Sequence, residues 1–177
     1  MRRIWLVSAM TLMAAALAIW PGEARAQGSF ELVTGKEFDS ALPKDFYLEG
    51  NAIPTQKRNA ALLKTPTGGR LLVALIDTTG YSSQIQQKYE GMIISEGKVT
   101  LCGAALAVGS YGFGFTKPAA TGSEEAKFFL YDQAGGKVAE CDMNKDADLQ
   151  RPKPLQVVVA KDAPAKLYFG KNWLEVK

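Results

Sequence analysis

The chain has 177 residues, with 21 Lys and Arg against 18 Asp and Glu, a formal charge of +3, and no histidine. The missing imidazole excludes Ser-His-Asp and Cys-His catalysis, His-ligated zinc and histidine-based pH switching. The length suits one domain with a single main core.

Residues 1–26 read as a secretory signal peptide. Arg2 and Arg3 give a positive start and residues 4–20 form an apolar run. Pro21-Gly22 interrupts that run, and Ala24 and Ala26 supply the small residues before a cut. Cleavage is expected between Ala26 and Gln27, with a periplasmic or secreted product. An uncleaved anchor is the competing reading, because the run is barely long enough to span a bilayer. Removal takes Arg2, Arg3, Arg25 and Glu23, three cations and one anion, so the charge falls from +3 to +1. So neutral a chain is not expected to bind nucleic acid, and no membrane span is expected after cleavage.

The remainder, residues 27–177, reads as short apolar segments separated by Gly, Pro and Asn. Segments 30–33 (FELV), 45–49 (DFYLE) and 59–64 (NAALLK) come first. Segment 70–78 (RLLVALIDT) is the most continuous and suits a strand buried on both faces. Ser82 can cap one or two helical turns over residues 82–89, with Gly91 preventing a longer helix. Segments 91–95 (GMIIS) and 98–102 (KVTLC) flank Glu96-Gly97, which reads as a two-residue hairpin turn. Segments 126–132 (AKFFLYD) and 137–142 (KVAECD) flank Gln133-Ala134-Gly135-Gly136, a second hairpin. Segments 155–160, 166–170 and 173–176 finish the chain, with surface loops at 119–125 and 145–154. About ten short strands at this spacing predict an all-β fold, a single-domain antiparallel β-sandwich or barrel.

Cys102 and Cys141 are the only cysteines. In an exported chain an even pair predicts one disulfide, and their separation excludes a C-x-x-C redox pair. Two free thiols are the alternative.

Three constellations bear on function. Asp142, Asn144, Asp146 and Asp148 place oxygens at every second position, which resembles the opening of an EF-hand calcium loop. The pattern lacks the turn glycine (Ala147) and the closing glutamate (Lys153), and its competitor is a polar loop with Asx-turns. Tyr111, Phe113 and Phe115 alternate with Gly112 and Gly114, so the rings share one strand face. Facing solvent they would form a stacking platform; facing inward, the expected case, they pack the core. Asp77, Glu90, Glu96, Asp132, Glu140 and Asp142 are the carboxylates a histidine-free hydrolase would draw on. Asp77 follows an apolar run where burial could raise its pKa, although Asp before Thr78-Thr79-Gly80 also suits a turn.

Trp173 is the only tryptophan beyond residue 26 and is expected to be buried, tying the C-terminus to the core, with an exposed ligand-stacking role as the alternative. The composite expectation is a binding or structural-interaction module for a protein or glycan ligand. No catalytic residue, metal or cofactor is expected, and a carboxylate-based hydrolase such as a glycosidase is the alternative.

Overall fold

The computed structural model describes residues 29–116 and 126–177. The expected signal segment and the loop 119–125 lie outside those residues. The first half comprises β1 (Glu31–Val33), α1 (Lys36–Ala41), β2 (Asp45–Leu48), β3 (Asn51–Lys64), β4 (Arg70–Ile76), α2 (Ser83–Lys88) and β5 (Gly91–Ser95). There follow β6 (Val99–Leu101), β7 (Ala104–Leu106), β8 (Gly109–Phe115), β9 (Lys127–Tyr131) and β10 (Lys137–Asp142). The last strands are β11 (Asn144–Lys145), β12 (Gln156–Val158), β13 (Ala165–Phe169) and β14 (Asn172–Val176).

Two antiparallel sheets pack face to face, so the all-β sandwich expectation holds. The larger sheet runs β1-β3-β4-β5-β8-β9-β10, with β2 also paired to β3. The smaller runs β12-β13-β14-β6-β7, with β11 also paired to β14. The continuous run on β4 is buried on both faces, as its lack of alternation implies. Leu71 and Val73 point into the core between the sheets, while Leu72, Ala74 and Ile76 point the other way. Phe113, Phe128 and Phe169 meet in the first core, with Phe113 5.4 Å from Phe128 and 5.0 Å from Phe169. The second cluster lies on the far face of the larger sheet, where Phe46, Leu48 and Ile53 of the β2–β3 hairpin and Ile85 of α2 cover it.

Local signals held where the partner was local. Ser82 caps α2, its hydroxyl accepting from the Ile85 N–H at 3.3 Å. The 133–136 turn joins the antiparallel strands β9 and β10. The Cys102–Cys141 disulfide is present, with the Cα atoms 5.3 Å apart. It ties the β6–β7 turn of one sheet to β10 of the other.

Several expectations are corrected. Glu96-Gly97 is not a hairpin turn: β5 pairs with β4 and β8, whereas β6 pairs with β7 and β14 in the other sheet. Neither residue has the positive φ that a tight primed turn requires. Instead Glu96 makes a bidentate pair with Arg70 at 2.6 and 2.7 Å, and Gly97 packs against the Gly69 backbone. The turn geometry appears at Cys102-Gly103 (φ 53° and 70°), so Cys102 lies in a turn rather than at a strand end. It appears again at Glu49-Gly50 (φ 47° and 76°). Strand β3 starts at Asn51 rather than near residue 59, running through Pro54 and the polar stretch 55–59, with a register irregularity between Thr55 and Ala60. Helix α1 was not expected; its one strongly apolar residue, Phe38, rests against the second cluster.

Candidate functional site

The aromatic row on β8 belongs to the core. Phe113 is wholly buried, Phe115 lies 5.2 Å from Phe169, and Tyr111 packs against the same cluster. The intervening glycines admit neighbours on the opposite face. A methyl group at Gly112 would collide with Tyr89 and Leu48, and one at Gly114 with the Lys88 carbonyl. With both faces of β8 occupied, the row offers no platform to a ligand.

The calcium-like spacing does not form a wrapping loop. Asn144 and Lys145 are strand β11, paired to Trp173 and Asn172 of β14, which separates the flanking acids. Asp142 reaches Lys127 at 3.4 Å. Asp146 accepts from the Leu149 N–H at 3.1 Å and from the Tyr168 hydroxyl at 3.2 Å. Among the described residues no three His, Cys, Asp or Glu side chains converge as a metal site.

Two of the six carboxylates, Glu140 and Asp142, converge on one cation, Lys127, each 3.4 Å from its Nζ. Asp77 is exposed and accepts from the Thr79 N–H at 3.0 Å, an Asx-turn. Its carboxyl is held low by hydrogen bonds from Thr79, the reverse of the rise that burial would cause. Glu96 is held low by its hydrogen bonds from Arg70. Glu140 is held low first by Lys137, 2.7 Å away, and also by Lys127. Asp132 accepts from the Gly136 N–H at 2.8 Å and shapes the β9–β10 turn. Glu90 contributes its backbone to the sheet, its N–H donating to Phe113 and its carbonyl accepting from Ile76.

A polar cluster unforeseen in the sequence closes one end of the second core. Glu49 Oε1 accepts from Lys88 Nζ at 2.5 Å and from the Tyr89 hydroxyl at 2.7 Å. Lys88 Nζ also donates to the Gly135 carbonyl at 2.8 Å and lies 4.9 Å from the Tyr131 ring centroid. The Lys88 and Tyr89 hydrogen bonds hold the Glu49 carboxyl below its ordinary range. Burial, followed by the bond to Glu49, pushes the Tyr89 phenol upward, away from any nucleophilic role. The Glu49 N–H donates to the Gln133 carbonyl at 2.9 Å, so two hairpin turns and the end of α2 meet here. This arrangement is a lock between segments far apart in the chain.

The outer face of the smaller sheet is different. On β14 the alternation sends Leu174 and Val176 into the core and leaves Trp173 and Glu175 outside. Trp173 is therefore only partly exposed, in keeping with the expected burial, but it sits on the outer face and in neither apolar cluster, which corrects its expected place in the core. The strand itself is tied down through β13 and β6. Cross-strand register sets Gln156, Tyr168, Trp173 and Asn144 in one row across β12, β13, β14 and β11. Three strand spacings of about 4.8 Å make that row about 14 Å long. Tyr168 is buried and braces Trp173, with ring centroids 6.2 Å apart. Lys166 Nζ lies 4.1 Å from the Trp173 ring centroid. An indole with a braced flank, amides in line and a mobile ammonium over its ring can, once the ammonium moves aside, stack on a ring and hydrogen-bond to hydroxyls. One sequence signal did point here: in W-L-E-V, Trp173 shares its strand parity with charged Glu175. Neither a known protein family, nor a curated protein, nor a solved structure matches this chain.

Proposed function

We propose that this chain is exported and works as a binding module, holding a glycan against the outer face of the smaller sheet. The observation that carries this reading is Trp173, a large aromatic side chain kept out of the core and fixed in place by Tyr168. Sugar rings present apolar C–H faces that stack on indole, and Asn144 and Gln156 lie in the same row to engage hydroxyls. The six carboxylates support a binding role over hydrolysis, since most are occupied by cations or turns.

Affinity electrophoresis of the exported chain through gels containing soluble polysaccharides, neutral and acidic, tests the proposal. At least one polysaccharide should retard the protein, and Trp173→Ala should remove that retardation while the circular-dichroism spectrum stays native. Migration unaffected by every polysaccharide, or retardation unchanged in the variant, would overturn it.

A further inference from the structure

Lys166 gives this face a charge requirement. It projects from β13 on the same face as Trp173, and its register partner across the strands is Glu175. That carboxylate is engaged elsewhere, by Lys177 at 2.9 Å. Among the described residues Lys166 forms no ion pair, although its side chain is partly buried; its ammonium lies over the indole ring. An ammonium so placed is held by the ring quadrupole, a weak attraction that a carboxylate can replace with a charge-assisted hydrogen bond. Asn144, exposed on β11, stands on the other side of Trp173. A cation, an indole and an amide thus occupy three adjacent strands within about 10 Å.

From this juxtaposition we infer that the ligand is an acidic glycan built from uronic acid residues. The inference rests on the glycan reading above and adds the charge. The uronate ring stacks on Trp173, its carboxylate draws Lys166 off the indole, and a hydroxyl meets the Asn144 amide. A neutral glycan would leave the ammonium competing with the sugar for the ring. A carboxylate removes that competition and supplies a counter-ion that Lys166 lacks among the described residues.

The test compares oligomers of galacturonan, alginate and hyaluronan with their methyl esters, using calorimetric titration of the exported chain. Esterification removes the charge and keeps the ring and most hydroxyls. At least one acidic oligomer should bind, with its ester about tenfold weaker, the size expected for losing one charge-assisted hydrogen bond. Lys166→Gln should bring acid and ester to the same affinity, while Lys161→Gln, an exposed lysine off these strands, should change neither. Acid and ester binding alike, or an acid preference surviving in Lys166→Gln, would overturn the charge inference and leave the glycan reading standing. If no acidic oligomer binds but a neutral polysaccharide retards the protein in electrophoresis, only the charge inference falls. Silence in both experiments defeats both.

Discussion

Leu72, Ala74 and Met92 on the outer face of the larger sheet lie beneath Phe46, Leu48, Ile53 and Ile85. The outer face of the smaller sheet, bearing Lys166, Trp173 and Glu175, has no comparable apolar cluster over it among the described residues. The two faces also differ in their polar groups. Over the larger sheet, Glu49, Lys88 and Tyr89 satisfy one another and close the layer. On the smaller sheet Lys166 has, among the described residues, no ion pair and rests against the indole. Apolar residues buried under a hairpin and a helix contribute to stability, whereas a half-buried tryptophan left outside contributes less and is available to a ligand.

Substitutions on β2 give the sharpest contrast. Phe46 is 4% exposed and faces the covered sheet, while its neighbour Tyr47 is 63% exposed. Phe46→Ala should cost about 3–5 kcal/mol, and Tyr47→Ala no more than about 0.5 kcal/mol, by urea unfolding. Similar losses for both would mean that the hairpin does not form a packed layer. Next in size is the Cys102–Cys141 bridge, which joins the two sheets across a loop of about forty residues. In the chain-entropy model its reduction should cost about 3–4 kcal/mol, measured as the urea midpoint with and without dithiothreitol. An unchanged midpoint would show that the inter-sheet core alone fixes the sandwich.

Glu49 sets the pH dependence of the covered side. A carboxyl whose folded pKa is depressed stabilises the fold fully above its unfolded pKa, and that contribution is lost as pH falls through the folded value. Glu49→Gln should therefore cost about 1.5–3 kcal/mol at neutral pH, the worth of hydrogen bonds to a charged group. The gap from the parent chain should narrow as pH drops below about 4.3, the usual Glu value. A gap of constant size from pH 7 to pH 3 would show that the Glu49 charge contributes nothing.

Much of the covered side was legible because its signals are local. The unbroken run on β4 implied two buried faces, Ser82 marked the start of α2, and the 133–136 turn joined adjacent strands. The X-Gly dipeptides were not separable that way. Glu49-Gly50 and Cys102-Gly103 turn back on themselves, whereas Glu96-Gly97 crosses between sheets. That choice depends on Arg70 and Gly69, more than twenty residues away, which no local pattern reveals. The Glu49–Lys88 contact spans 39 residues and left no mark in sequence at all. The outer face of the smaller sheet was partly legible. Apolar density around residues 166–176 argued for burial of Trp173, yet parity with Glu175 argued for the outside, and the pleat follows parity.

Trp173→Ala should cost less than the changes at Phe46, the disulfide and Glu49, and it separates the two faces most directly. The side chain touches Tyr168 across the strands and carries Lys166 over its ring. A cross-strand aromatic pair contributes about 0.2–1 kcal/mol and an exposed cation–π contact about 0.5–1 kcal/mol, so the variant should lose about 0.7–2 kcal/mol. A core aromatic of this size would cost about 3–5 kcal/mol. Urea unfolding followed by circular dichroism measures the difference without needing the indole as a reporter. Acrylamide quenching of the chain beginning at Gln27, where Trp173 is the single tryptophan, supplies an independent reading. Partial quenching with a small loss of stability places Trp173 on an available outer face. A loss of about 3 kcal/mol or more, with an indole that resists quenching, would make it a packing residue like Phe46 and remove the central contact from the proposed glycan site.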